Sequence, residues 1–158
     1  MPLKISQFCS MANIDVNRVQ FRYIDTSFYF PNRTRLKFFL MERLHREGFK
    51  AEAINYIFCT DEYLLILNQE YLKHDTYTDI ITFALSPKGQ PLISDIYISI
   101  DRVRENAKSF NKAFIHELHR VVFHGVLHLS GYKDKTKSDA LRMREMEEKY
   151  LGLYFRST

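Results

Sequence analysis

The chain has only two cysteines, Cys9 and Cys59, among 158 residues. They lie far apart, form no CxxC pair, and are too few to staple a chain long enough to build its own core. Both read as reduced thiols, and Cys59, in the apolar run Ile57-Phe58-Cys59, reads as buried and inert. Long apolar runs are also missing. No window approaches the roughly eighteen uninterrupted apolar residues of a membrane-spanning helix, and the start is too polar and broken for an export signal. The expectation is a soluble, unexported, cytoplasmic protein with no membrane partner. Glycine, serine and proline do not gather into a linker, and there is no repeat or low-complexity tract. A single domain over residues 1–158 is therefore expected.

A strong charge of one sign is absent too, with 23 Lys and Arg against 19 Asp and Glu. That mild excess permits a polyanionic partner without demonstrating one. Lys133, Lys135 and Lys137 concentrate positive charge just after the most informative segment of the chain.

What is present is an alternation of strand and helix patterns. Val19, Phe21 and Tyr23 alternate with polar neighbours over residues 17–24, predicting a half-buried strand. Pro31 and Asn32 open, and Gly48 closes, a helix from about Arg33 to Glu47 with Leu36, Leu40 and Leu44 on one stripe. Residues 54–59 predict a strand, and Thr60-Asp61 suits the start of a helix carrying Leu64, Leu65, Leu67 and Tyr71. Asp79–Leu85 and Leu92–Ile100 predict two strands joined through Ser86-Pro87-Lys88-Gly89, an antiparallel hairpin. From Asp101 the pattern is helical, broken near Phe110-Asn111 and at Gly131, with a last helix over about Ser138–Leu151. The expected fold class is α+β, or α/β-like, with one mixed sheet of about four strands covered by about five helices.

The segment that carries chemistry runs from Glu117 to Asp134. His124 and His128 lie one helical turn apart on one face, so both imidazoles can reach one ion. Gly131 can end the helix at positive φ and turn the chain back, bringing Asp134 to the open side. The spacing HxxxHxxGxxD follows the logic of compact zinc hydrolases, in which a helical histidine pair is completed just past a glycine turn. A His pair at this spacing also arises by chance on helices, so spacing alone leaves metal binding and a structural role both open. Gly125 stands where HExxH peptidases carry their general base, which argues against peptide hydrolysis. His116 and His119 fall off the ligand stripe and read as ordinary helix histidines.

The string His124-Gly125-Val126-Leu127-His128-Leu129-Ser130-Gly131-Tyr132 resembles the signature of the YbeY family, a HGxLHLxGY segment followed by an acidic residue and a third histidine. The resemblance extends upstream. Leu67-Asn68-Gln69-Glu70-Tyr71, with Asp75 and Thr78-Asp79-Ile80-Ile81-Thr82-Phe83, is similar to the family's LNxxY...D.PTDVLSF stretch. Ser94-Asp95-Ile96-Tyr97-Ile98-Ser99 resembles its GDIxIS strand, and Met143 and Glu147 fall at the spacing of its C-terminal helix. The resemblance implies a cytoplasmic metal-dependent endoribonuclease specific for single-stranded RNA, acting in ribosomal RNA processing, with ribosomal proteins as possible partners.

Two positions depart from the family pattern. Asp134 stands at the third histidine ligand, so the implied cofactor is one Zn2+, with another divalent metal open because a carboxylate adds charge and hardness. Leu72 stands where the family carries an arginine implicated in RNA cleavage, and Lys73 and Arg120 are the candidates to supply the lost charge. Within that reading the metal ligands are His124, His128 and Asp134. An ion with an open position lowers the pKa of water from about 15.7 toward about 7 for phosphodiester hydrolysis. Arg120, one turn before His124, is the candidate to stabilise transition-state charge, or else a salt-bridged helix residue. Glu117 is the candidate to orient an imidazole or handle a proton, or else the partner of Arg120. Lys73 and Asp95 are the substrate-binding candidates, with a turn cap as the alternative for Asp95. His74 and Tyr77 lie in the loop equivalent to a family substrate region, Tyr77 as a stacking aromatic or a half-buried loop residue. The competing functions are an RNA- or ribosome-binding module of the same fold with weakened or lost catalysis, and a metal hydrolase acting on another substrate.

Overall fold

A computed structural model describes residues 14–156, so Cys9 lies outside the described residues. The alternating segment forms strand β1, Val19–Tyr23, after a short turn at Val16–Arg18. Helix α1, Arg33–Arg46, buries Leu36, Leu40 and Leu44, the stripe seen in the sequence. Strand β2, Ala51–Cys59, begins three residues earlier than the pattern predicts. Ala51-Glu52-Ala53 has weak strand character of its own, and pairing with Leu92 and Ile93 of the neighbouring strand extends it. Helix α2, Asp61–Leu67, starts at the expected cap: the Thr60 hydroxyl accepts from the Tyr63 amide at 3.2 Å. It widens into a π-helical turn over Asn68–Leu72. Strands β3, Ile80–Ala84, and β4, Leu92–Ser99, form the expected antiparallel hairpin. Helices α3, Ile100–Ser109, α4, Phe114–Leu129, and α5, Lys137–Arg156, complete the order. The last helix runs five residues beyond Leu151, where the buried Tyr154 keeps it against the core.

The sheet is mixed, in the order β1-β2-β4-β3, with β1, β2 and β4 parallel and β3 antiparallel to β4. This is the expected α+β architecture. One sheet face, carrying Ile54, Tyr56, Phe58, Ile96 and Ile98, packs into the main core with α1, α4 and α5. The other face carries a smaller core in which Cys59 and Ile81 meet Leu64 of α2. Cys59 is fully buried, and burial, with Asp101 and Asp61 nearby, pushes its thiol up to about 12, consistent with an inert thiol.

Helix α4 is the centre of the arrangement, with ten buried residues, and two contacts fix it on the sheet. The Tyr56 hydroxyl donates to the Val122 carbonyl at 2.8 Å. Gly125 lies so close that a Cβ there would come within 3.1 Å of Ile80 and Ile96 side-chain atoms. The glycine at the peptidase-glutamate position is therefore the residue that lets helix and sheet meet.

His119, also on α4, is only 2% exposed and packs among the rings of Phe30, Phe123, Tyr154 and Phe155. Its Nδ1 bonds the Ile115 carbonyl at 2.7 Å, while its Nε2 has no partner within the protein. Burial lowers its pKa from 6.5 to about 4, against the opposing effect of the Ile115 bond. Between those values the unfolded chain binds a proton that the folded one does not. Stability is therefore complete above about pH 6.5 and is lost as pH falls toward about 4, with a slope approaching 1.4 kcal/mol per unit, about one proton's worth. Denaturant titrations at pH 7 and pH 5 check this. The expected result is a smaller loss on acidification for His119→Phe than for the unaltered protein.

Candidate metal centre

Two ligand candidates are set by helix geometry, since His124 and His128 stand one turn apart on α4. The third is delivered by the turn that ends the helix. Gly131 adopts φ +91°, its amide donates to the His128 carbonyl at 3.0 Å, and the Tyr132 amide donates to the Leu127 carbonyl at 3.1 Å. This is a Schellman termination, and it reverses the chain so that Asp134 returns over the histidines. The Asp134 Oδ2 lies 3.4 Å from the Nε2 of both His124 and His128, and those two nitrogens are 2.9 Å apart.

The outer nitrogens of the rings decide what the inner ones can do. His124 Nδ1 faces the Glu147 carboxylate on α5 at 2.6 Å, and His128 Nδ1 faces the Tyr132 carbonyl at 3.0 Å. Carbonyl and carboxylate oxygens accept, so each Nδ1 is assigned as the donor and each Nε2 is left with a lone pair. Two lone pairs and a carboxylate oxygen then converge on one point, an arrangement that repels itself unless a cation joins it. The spacing fits a small ion. Tetrahedral ligands at bond lengths of about 2.0–2.1 Å lie about 3.3 Å apart, close to the two 3.4 Å separations, with the two nitrogens closer together at 2.9 Å. Among the described residues this is a group of three side chains able to hold a metal.

Behind the histidines lies a buried ionic cluster. The Arg120 Nε donates to both Glu117 oxygens at 3.0 and 2.9 Å, Nη2 also pairs with Glu117, and Nη1 donates to Glu147 at 3.1 Å. Asp79, at the start of β3, lies 3.7 Å from Nη2. Burial alone would raise the Glu147 carboxyl, but its hydrogen bond with His124 and the charge of Arg120 together hold it below the usual carboxylate range. At Asp79 burial wins and the pKa is raised, although Arg120 and His124 oppose it.

The predicted residues separate accordingly. His124, His128 and Asp134 are brought together. Arg120 and Glu117 sit behind them, joined to each other, and neither lines the cleft above the site. Glu117, 1% exposed, touches neither ligand imidazole through any hydrogen bond; that position belongs to Glu147. Lys73 is exposed at the left-handed end of the π turn and does not line the cleft. Asp95 lies on the sheet face opposite Ile96, away from α4, and accepts from Asn55 at 2.8 Å. Glu147 was visible in the sequence only through its spacing, because the run Arg144-Glu145-Met146-Glu147-Glu148-Lys149 does not show which charge is buried.

The cleft over the site encloses about 880 Å³ between the loop before β3 and the loop after α4. Leu72, His74 and Tyr77 line one side, Asp134 and Lys135 the other, and Thr82 lines it as well. The first loop is held by Asn68, whose carbonyl accepts from the His74 amide at 3.2 Å and whose side chain donates to the Thr76 carbonyl at 2.7 Å. The exposed Tyr77 ring is covered by the Arg102 guanidinium at 5.1 Å. The Thr82 hydroxyl is buried without a hydrogen-bond partner.

Residues 30–154 match the sequence model of a family described as Endoribonuclease YbeY. Curated relatives of that description include one from Flavobacterium psychrophilum, 57% identical over 106 residues, spanning 66% of this chain and 75% of the relative. One from Cytophaga hutchinsonii is 45% identical over 129 residues, spanning 82% and 90%. Among solved structures, a Thermotoga maritima protein determined in solution aligns with a TM-score of 0.61 at 28% identity, over 88% of this chain and 90% of that one.

Two substitutions test this geometry without touching a ligand. Glu147→Gln weakens the acceptor behind His124, and metal affinity is expected to fall about 10- to 100-fold, read by competition with a chromophoric chelator. Gly131→Ala meets no steric obstacle, since nothing lies within 4 Å of the added Cβ, but it strains the positive φ. A loss of about 1 kcal/mol in thermal unfolding is expected, together with weaker metal binding because Asp134 is displaced.

Proposed function

The chain belongs to the YbeY family, and on that premise we propose that it is a metal-dependent endoribonuclease that hydrolyses phosphodiester bonds of single-stranded RNA. The observation that carries this reading is the pair of Nε2 lone pairs 2.9 Å apart, completed by the Asp134 carboxylate on the wall of an open cleft. Zinc fits two imidazoles and one carboxylate, and the oxygen ligand leaves room for manganese or iron. A divalent ion held there supplies Lewis acidity to a phosphoryl oxygen and acidifies a water molecule near neutral pH.

The protein's own groups do the rest. Glu147 keeps the proton of His124 on Nδ1, and the Tyr132 carbonyl does the same for His128, so both rings stay turned toward the cleft. Arg120 balances Glu117 and Glu147, which keeps Glu147 able to accept. Arg120 thus positions the site through Glu147 rather than meeting the substrate. Ribosomal RNA as the substrate, cytoplasmic action and contact with ribosomal proteins belong to the same reading, and they rest on the resemblance to the family.

A second reading, an RNA-binding module with lost catalysis, is favoured by Leu72, an apolar side chain lining the cleft where the family carries arginine. One experiment separates the two. Purified protein is expected to cleave single-stranded RNA, to lose activity with chelator, to regain it with zinc, and to lose at least about 100-fold as His128→Ala. Activity indifferent to both treatments defeats the metal mechanism, and RNA binding without cleavage favours the module. Asp134→His is expected to retain or raise zinc content after dialysis; a zinc-free variant would count against Asp134 as a ligand.

A further inference from the structure

A polyanion entering this cleft meets an acidic interior. Asp134 and Asp79 line it, Glu117 and Glu147 lie just behind, and the one guanidinium among them, Arg120, is already bonded to both glutamates. Whatever electrostatic attraction holds the strand must come from elsewhere on the walls. Lys73 is not among the residues lining the cleft, and Leu72 has no charge. Among the described residues lining the cleft, the side chains other than the ligand histidines that can carry positive charge are His74 and Lys135. They stand on opposite walls, His74 in the loop before β3 and Lys135 directly after Asp134, and both are exposed.

We propose that His74 and Lys135 form a two-sided phosphate clamp that holds the RNA strand across the metal centre, taking the place of the arginine that Leu72 replaces. The proposal rests on the endoribonuclease reading and names how that site grips its substrate. Two features of the walls support it. The His74 backbone is not loose, because Asn68, itself 3% exposed, binds both the His74 amide and the Thr76 carbonyl and so fixes where the imidazole leaves the chain. Lys135 is tied to the same turn that places Asp134, so a phosphate bound by its ammonium is set next to the ligand carboxylate. Phosphate contacts of this kind fix the register of the strand without reading bases.

The test uses the full chain and a single-stranded 2′-O-methyl oligonucleotide, checked on a gel to be intact after each titration, with affinity followed by fluorescence anisotropy across a salt series. His74→Ala and Lys135→Ala are each expected to weaken binding about three- to ten-fold and to lower the dependence of log affinity on log salt by up to about one unit, with Lys135→Arg restoring it. Metal content is expected to stay at the wild-type level, and with cleavable RNA the larger change is expected in KM rather than kcat. Both residues are exposed, so unchanged thermal unfolding is expected of the variants. A double variant that binds the oligonucleotide with wild-type affinity and salt dependence overturns the clamp and leaves the endoribonuclease reading standing. Wild-type protein that binds and shows the clamp effects but never cleaves RNA supports the clamp and defeats that reading. Wild-type protein that does not bind the oligonucleotide overturns the clamp.

Discussion

Two buried glutamates, Glu117 and Glu147, stand behind the two histidines, and the Arg120 guanidinium lies between them. It donates to Glu117 through Nε and to Glu147 through Nη1, and its Nη2 is 3.7 Å from Asp79. Glu147 is only 3% exposed, and the hydrogen bond with His124 and the charge of Arg120 together offset the cost of its burial. A carboxylate held ionised in this way is a better acceptor for His124 Nδ1 than a protonated carboxyl. The orientation of the imidazole and the direction of its free lone pair therefore depend on Glu147 and, through it, on a half-buried guanidinium that does not line the cleft.

The scaffold around that cluster is closely packed under the candidate ligands and open above them. Helix α4 is sandwiched between the sheet and α5, and its approach to the sheet is set by the absence of a side chain at Gly125. Because α5 packs on α4, Glu147 reaches His124 from a different element, twenty-three residues further along the chain. The termination at Gly131 serves the site twice: it returns Asp134 to the histidines and presents the Tyr132 carbonyl to His128 Nδ1. One turn thus supplies both a candidate ligand and the group that orients another.

Much of this was legible in the residues, and the limits have physical causes. Helices and strands were readable where periodicity, capping and glycine coincided, as at Thr60 for α2 and Gly131 for α4. Residues 51–53 of β2 and the last turn of α5 were missed because tertiary pairing and burial, not local propensity, decide them. The convergence of His124, His128 and Asp134 followed from one helical repeat and one turn. The roles around them did not, since sequence separation says nothing about which of several nearby carboxylates crosses from another helix. Glu117, seven residues before His124, is turned to Arg120, while Glu147 takes the imidazole. Asp95 shows the same limit in a strand: its place in a motif is visible, but the sheet face it occupies depends on how α4 packs.

The glycine at position 125 bears on the class of substrate as well as on packing. In HExxH enzymes the glutamate beside the first histidine handles protons for a neutral peptide bond. Here a side chain at that position would meet Ile80 and Ile96, and Ile80 itself lines the cleft. The carboxylate nearest His124 Nδ1 instead comes from α5, on the far side of the ring. Keeping that negative charge behind the imidazole preserves its orienting effect while lengthening its distance from anything in the cleft. A neutral substrate would gain little from that placement, whereas a phosphodiester would otherwise face another anion at close range. The packing that removes the peptidase base thus also makes the cleft more tolerant of an anionic substrate.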